Sequence, residues 1–494
     1  MSEQRASYRQ VMKATSIFGG VQVFTIVIGI IRSKFIAILL GPIGMGVFGL
    51  LSSTVAMIAS ITNFGLETSA VKDLSAVNGN EIRISILTTV IRRLVWITGL
   101  LGAIITLSFS QWLSQVTFGN KEYTFGFVWL SITLLLNQIS IGQTVLLRGL
   151  RQLKFMAQAG MLGSLFGLIT TVPLYYFFGI KGIIPGMIIT AIVTLLLTWY
   201  FANKIEIKPL YVSKARTLAE SKEMVKMGFM ISLSGMITLG ASYLVRIYIS
   251  NVGGVDQVGL YYAGFAIITT YVGLIFTAMG TDYYPRLSAV ASDNIQCKIV
   301  INQQAEIAIL ILAPVMLVFL VFSNWAVLIL YSAKFSPIND MILWAALGMF
   351  FKAASWAIAF VFLAKGESKL FFISELITNI YLLAFNLLGY KFGGLTGLGI
   401  SFLVSYFLYL IQVFAITKFK HDFSFSIEFF KIFGIQLLLA IFCFTAMKIL
   451  STPYSYFLGV VLIIFSVVYS YKELDKRLGI KSIIIEFKNS KLKK

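Results

Sequence analysis

The chain has 494 residues, 58% hydrophobic and only 12% charged, a balance that puts most of it in a bilayer and excludes a soluble enzyme. Forty Lys and Arg against twenty Asp and Glu give a formal charge of +20; the excess reads as membrane topology before it reads as nucleic-acid binding, and no nucleic-acid partner is expected. Two cysteines, Cys297 and Cys443, and one histidine, His421, exclude a metal cage, a CxxC redox pair and a Cys/His nucleophile on any recognised spacing, so no metal or other cofactor is expected.

At roughly 20 apolar residues per span there is room for about twelve to fourteen transmembrane helices, an all-α polytopic fold. Apolar runs between charged or Gly/Pro punctuation predict spans near 11–39, 45–70, 86–110, 123–147, 155–178, 182–202, 226–250, 257–281, 302–330, 338–363, 370–390, 395–417, 429–450 and 454–471. The first run lacks a small-residue cleavage motif and is interrupted by Arg32 and Lys34, so it reads as an uncleaved helix. Pro285 is expected to end the eighth.

Lys and Arg counted over alternate connections set the orientation. One side, including the N-terminus, the stretch 203–225 and the tail, holds 31; the other holds five, Lys121, Lys181, Lys334, Lys391 and Lys448. Basic loops stay in the cytoplasm, which predicts both termini there and an even number of spans. The basic tail 472–494 is expected to be a solvated segment near anionic lipid heads.

The chain also resembles itself. Residues 46–77 align without gaps on 259–290, matching at Gly46/Gly259, Thr68/Thr281 and the closing LSAV. At nearly the same offset RGLRQLKF (148–155) faces LAKGESKL (363–370), and FGIKG (178–182) faces GGLTG (393–397). These windows predict two parallel six-helix halves: an N-terminal lobe 1–202, a cytoplasmic linker 203–225 and a C-terminal lobe 226–420. Helices 13 and 14 follow in 421–471, ahead of the tail. Transporters built from such repeats bind substrate at the repeat interface.

Four cations, Arg32, Lys34, Arg246 and Lys352, lie inside predicted spans. Gln22, Thr25, Gly29 and Arg32 share one helix face, and Gly235, Thr238, Ser242 and Arg246 repeat that stripe. A seam of small residues between helices competes with a wet cavity as the reason for both stripes. A seam does not need an arginine at its end, which favours the cavity. Lys352 stands near the middle of its helix, where snorkelling reaches poorly, and faces Asn137 in the repeat register. Lys34 reads as an interface anchor. Glu67, Asp282, Glu306 and Glu375 are the embedded acids, all nearer the cytoplasmic ends, where ordinary helix-end solvation competes for Glu67 and Glu306 and a helix-terminus role for Asp282; Glu375 leads a polar line with Asn379 and Asn386, and Glu375 and Asp282 are the candidates for ion coupling.

With the opening stretch from SIFGGVQVF to KDLSA, these features resemble O-antigen and polysaccharide flippases of the multidrug/oligosaccharidyl-lipid/polysaccharide exporter superfamily. The most specific parts are LGPIGMGVFGL, NFGLETSAVKDLSA, RGLRQLKF and FGIKGIIPG. The resemblance implies a MATE-like fold, two lobes in a V, and alternating access in a bacterial inner membrane. The implied substrate is an undecaprenyl-pyrophosphate-linked oligosaccharide, exported for the polysaccharide polymerase machinery. Family members have a cation-lined cavity, which Arg32, Arg246 and Lys352 would supply here, with H+ or Na+ as candidate coupling ion. A lipid II flippase and a drug/cation antiporter are the alternatives of the same fold. Antiporters need carboxylates where helices 1 and 7 here offer arginine. No GxxxxGK[ST] loop or Asp-x-Asp motif occurs and the outer loops are short, which argues against ATP hydrolysis in this chain and against a membrane glycosyltransferase.

Overall fold

The computed structural model describes residues 2–77, 79–207 and 210–479; side chains are described from Gly20 on, with Gln22 among the exceptions. Gln22, the N-terminal basic side chains and the tail beyond Gly479 therefore lie outside the described residues. In chain order the helices are α1 (Ser2–Leu39), α2 (Gly41–Thr62), α3 (Leu66–Ala76), α4 (Glu81–Ser108), α5 (Ser110–Phe118), α6 (Thr124–Gly149), α7 (Leu153–Phe178) and α8 (Ile183–Ala202). There follow α9 (Lys214–Gly253), α10 (Val255–Phe265), α11 (Gly273–Ala289), α12 (Asn294–Leu330), α13 (Asn339–Ala364), α14 (Ser368–His421), α15 (Ile427–Ile449) and α16 (Tyr454–Leu478).

Eleven helical stretches among the described residues are long and apolar enough to cross a membrane. Two of them, Leu153–Ala202 and Ser368–His421, run to 50 and 54 residues, far beyond the ~20 that a bilayer requires. Each turns at a glycine, Gly179 (φ 57°, ψ −136°) or Gly394 (φ 54°, ψ −137°). Dividing both gives thirteen, and α1 brings the spans to about fourteen.

The chain divides into two compact units, Met1–Leu260 with Leu330–Lys334, and Tyr261–Ile329 with Phe335–Lys494. In the first, a core of Leu66, Ala70, Leu74, Val90, Ile91, Val145 and Leu146 joins α3, α4 and α6, and Met224 of α9 packs into it. In the second, α13 is the most enclosed helix: Ala346, Met349, Phe350, Ala353, Ala354, Ala357, Ile358 and Phe362 are fully buried, while Lys352, Trp356 and Phe360 form one half-buried face. Helices that are apolar all round belong in the middle of a bundle.

The internal repeat is visible in the backbone. Gly179 and Gly394, 215 positions apart, share one conformation that side-chain-bearing residues rarely adopt. Three residues on, a β-carbon at Gly182 would stand 2.3 Å from the Leu174 carbonyl oxygen, and one at Gly397 would stand 1.9 Å from that of Gly389. The basic loops match as well: Arg151 and Gly366 both have positive φ. The Gln152 N–H donates to the Leu147 carbonyl, and the Glu367 N–H to that of Phe362, both at 2.8 Å.

Three boundaries differ from the sequence reading. The run 45–70 is two helices, because Phe64 (φ 48°) and Gly65 (φ 64°) turn the chain after Thr62. Hydropathy cannot see that break, since both residues are apolar. The stretch 203–225 is helical from Lys214 on, where the Ser213 hydroxyl caps α9 by accepting from the Arg216 N–H. Pro285 lies inside α11, which continues to Ala289; the proline removes one N–H, and its outward-facing turn carries the helix past it.

Candidate substrate-binding cations

Arg32 is half-buried on α1. Its guanidinium lies against α7, where a β-carbon at Gly167 would stand 2.7 Å from Arg32 Nη2 and 3.2 Å from Thr190 Cγ2 of α8. Gly167 thus leaves the space that the guanidinium fills. Arg246 is half-buried on α9, and the Nε atoms of both arginines are shielded from solvent. Thr25 and Ser242 are half-buried, while Thr238 is exposed and its hydroxyl donates to the Ser234 carbonyl one turn back, 3.2 Å.

The glycines of the two stripes separate the two readings of those faces. A β-carbon at Gly29 or Gly235 would meet nothing within 4 Å. A helix–helix seam uses glycine to bring backbones together, and neither glycine makes such an approach among the described residues. Close approach occurs elsewhere in the first unit. A β-carbon at Gly46 would sit 1.9 Å from the Val255 carbonyl oxygen, and one at Gly259 1.9 Å from that of Pro42. The two contacts are reciprocal, 213 positions apart in each case, as self-complementary packing requires.

Lys352 stands at the middle of α13, half-buried. Its ammonium lies 5.0 Å from the Tyr406 ring centroid and 5.7 Å from that of Phe402, both on α14 past Gly394. Such faces attract a desolvated cation. Among the described residues no carboxylate is within ion-pair distance of it.

Glu375 stands near the start of α14 and accepts a hydrogen bond from the Tyr409 hydroxyl at 2.9 Å. Tyr409 and Tyr406 lie edge to face at 6.3 Å, so two tyrosines connect the Lys352 ammonium to the Glu375 carboxylate inside the second unit. Gln412 closes the surroundings, donating to Ser374 Oγ (2.8 Å) and Thr378 Oγ1 (3.3 Å). Asn379 is buried, its amide donating to the Glu375 carbonyl at 2.9 Å. No sequence spacing pointed to Tyr406 or Tyr409, since both read as ordinary aromatic residues of an apolar span.

Each of the three other acids has a cation beside it. Asp282 is 79% exposed and pairs with Arg286 one turn on, 3.0 Å. Glu67 pairs with Arg148 at 3.0 Å at a half-open surface. Glu306 is buried and accepts from Arg477 Nε (2.8 Å) and the Ser426 hydroxyl (2.9 Å). Arg477, placed by sequence in a solvated tail, is thereby half-buried against the second unit. Asn137 is half-buried; its neighbour Gln138 makes the buried hydrogen bonds there, donating to Asn63 Oδ1 (2.8 Å) and Thr98 Oγ1 (2.9 Å).

The described residues form an all-helical, multi-pass membrane bundle with cations in its spans and a repeated glycine turn. Residues 35–340 match the family model described as polysaccharide biosynthesis protein, and the chain belongs to that family. A Shigella flexneri protein that carries the name O-antigen transporter is 26% identical over 381 residues, covering 74% of this chain and 88% of its own. The lipid III flippase of Escherichia coli (strain K12) is 20% identical over 385 residues, 77% of this chain and 92% of its own. Among solved structures, the inward closed lipid II flippase MurJ superposes with a TM-score of 0.73 at 13% identity, over 93% of this chain and 99% of that one. An inward-facing MATE family transporter of the MOP superfamily gives 0.69 at 14% identity, over 81% and 94%. The fold is therefore that of the superfamily to which the sequence resemblance pointed, and these relatives transport rather than catalyse.

Proposed function

We propose that this protein flips an undecaprenyl-pyrophosphate-linked oligosaccharide, an O-antigen or other surface polysaccharide repeat unit, across the bacterial inner membrane. Both termini would be cytoplasmic and the polysaccharide polymerase machinery would receive the product. The observation that carries the reading is Lys352, a mid-span ammonium held by aromatic faces, with no carboxylate among the described residues in ion-pair reach. A cation at that depth is costly unless it serves a charge. A pyrophosphate supplies that charge, and Arg32 and Arg246 add guanidinium forks suited to phosphate oxygens. The names of the relatives from Shigella flexneri and Escherichia coli support a lipid-linked substrate. Glu375, bonded to Tyr409, is the group we assign to H+ or Na+ coupling.

The test is complementation of a deletion strain, with surface glycan and polyprenyl-linked intermediates read by mass spectrometry. Arg32→Ala, Arg246→Ala and Lys352→Ala should each reduce export and accumulate the lipid-linked unit while inserting normally. Arg→Lys should be milder where Coulomb attraction dominates and nearly as damaging where bidentate recognition does. Full activity of all three alanine variants refutes the assignment. Glu375→Gln should change the dependence of export on pH or sodium; an unchanged dependence makes Glu375 structural.

A further inference from the structure

The stretch between α8 and α9 builds a site of its own in the first unit. Residues 210–213 lie against α4, held where Arg93 Nη1 donates to the Val212 carbonyl (2.8 Å) and to Thr217 Oγ1 (2.5 Å). The Arg83–Glu220 pair fastens the first turns of α9 to the start of the same helix. Together they enclose a groove of about 1200 Å³. Its walls include Trp96 and Ile97 of α4, Tyr211 and Leu218; Arg92 and Lys214 also line it, and no acidic residue does among the described residues.

The polar and apolar parts are arranged end to end. Arg92 and Lys214 are exposed, and no hydrogen bond or ion pair of either side chain is present among the described residues. One turn along α4 begins an exposed apolar strip that leads out of the groove, with Trp96, Ile97, Leu100, Leu101 and Ile104. Exposed side chains of this kind within a span face hydrocarbon, and Trp, Tyr and basic groups above them mark the headgroup level. An occupant must therefore carry negative charge at one end and hydrocarbon at the other. A soluble anion leaves the strip unused, and a zwitterionic lipid leaves both cations uncompensated.

We propose that this groove binds an anionic phospholipid, its headgroup phosphate at Arg92 and Lys214 and an acyl chain along Trp96 to Ile104. The site is separate from Arg32, Arg246 and Lys352 and does not rest on the transport reading. Arg93 holds the roof rather than the ligand.

The experiment uses the full chain in phosphatidylcholine nanodiscs with a minor share of either phosphatidylglycerol or phosphatidylcholine brominated in the acyl chains. Bromine quenches indole emission on contact, and the difference between wild type and Trp96→Phe isolates Trp96 from the other six of the seven tryptophans. Brominated phosphatidylglycerol should quench Trp96 well beyond its share of the bilayer, and brominated phosphatidylcholine only in proportion to it. Each cation near a membrane surface contributes roughly a five-fold preference. Arg92→Gln and Lys214→Gln should thus each cut the preference about five-fold and together abolish most of it; the single variants decide the matter where the double one does not fold. Equal quenching by both lipids overturns the proposal, since it reports ordinary lipid contact. A preference that survives both substitutions overturns it as well. So does stoichiometric displacement of phosphatidylglycerol by a polyprenyl pyrophosphate, which would give the groove to a transported lipid.

Discussion

Arg477→Met should destabilise the second unit, and the geometry sets by how much. Arg477 joins two carboxylates, donating to Glu306 at 2.8 Å and to Glu473 at 2.6 Å, with side-chain exposures of 22%, 11% and 17% in that order. Removing one partner of a fully buried pair typically costs about 3–5 kcal/mol, because the remaining charge loses its compensation, and screening of this half-buried network brings the expected loss down to about 1–3 kcal/mol. Among the described residues, the substitution leaves Glu306 with the Ser426 hydroxyl alone, whereas Glu473 keeps Lys476 at 2.6 Å. Glu306→Gln is gentler, since Arg477 retains Glu473, and should cost roughly half as much. Replacing both, Glu306→Leu with Arg477→Met, removes the charges together and should come near wild type. The assay is a double-mutant cycle on thermal unfolding in one detergent. A loss for Arg477→Met below ~1 kcal/mol, the size expected of an exposed pair, would refute the half-buried network and return Arg477 to a solvated tail.

Three further outcomes follow from the same coordinates. Gly167→Ala removes no charge but places a methyl 2.7 Å from Arg32 Nη2; it should impair export in the complementation assay with normal expression, and wild-type export would detach Arg32 from function. Gly29→Ala, with open space around it, should fold at least as well as wild type, helix propensity alone favouring alanine by up to ~1 kcal/mol. Gly46→Ala, aimed at the Val255 carbonyl, should cost about 1–3 kcal/mol or more; unfolding temperatures of the two variants check the contrast. At Glu367, burial raises the carboxyl pKa, but hydrogen bonds from Lys420 and His421, with their charges, outweigh it and hold the group below the usual carboxylate range. A lowered folded pKa contributes stability that is full above the unfolded value, about 4.3, and is lost as pH falls through the folded one. The gap in melting temperature between wild type and Glu367→Gln should therefore close as pH drops below about 4; a gap independent of pH would refute it.

The sequence is most legible where the bilayer imposes the rule. A backbone crossing hydrocarbon must be helical and apolar over a fixed length, so nearly every span was legible, as was the concentration of basic residues on one set of connections. The repeat was legible too, because the turns at Gly179 and Gly394 need glycine for a backbone reason that substitution cannot evade. Lys34, Arg32, Arg246 and Lys352 could be named for the same reason: a charge inside an apolar run is conspicuous.

What remained for the tertiary structure was everything decided by partners distant in the chain. The Arg477–Glu306 pair spans 171 positions and the Glu375–Tyr409 bond 34, and neither leaves a local pattern. Asp282 reads as embedded because its neighbours are apolar, and only the structure shows that its side of α11 is open and that it pairs with Arg286. Gly29 and Gly46 are alike in composition and opposite in surroundings, one facing open space and the other the Val255 carbonyl. Hydropathy and spacing report what a residue is and how often it recurs. Which atoms then meet depends on how helices far apart in sequence are packed, and that packing also built the groove over α4 from a stretch that composition marked only as a charged linker.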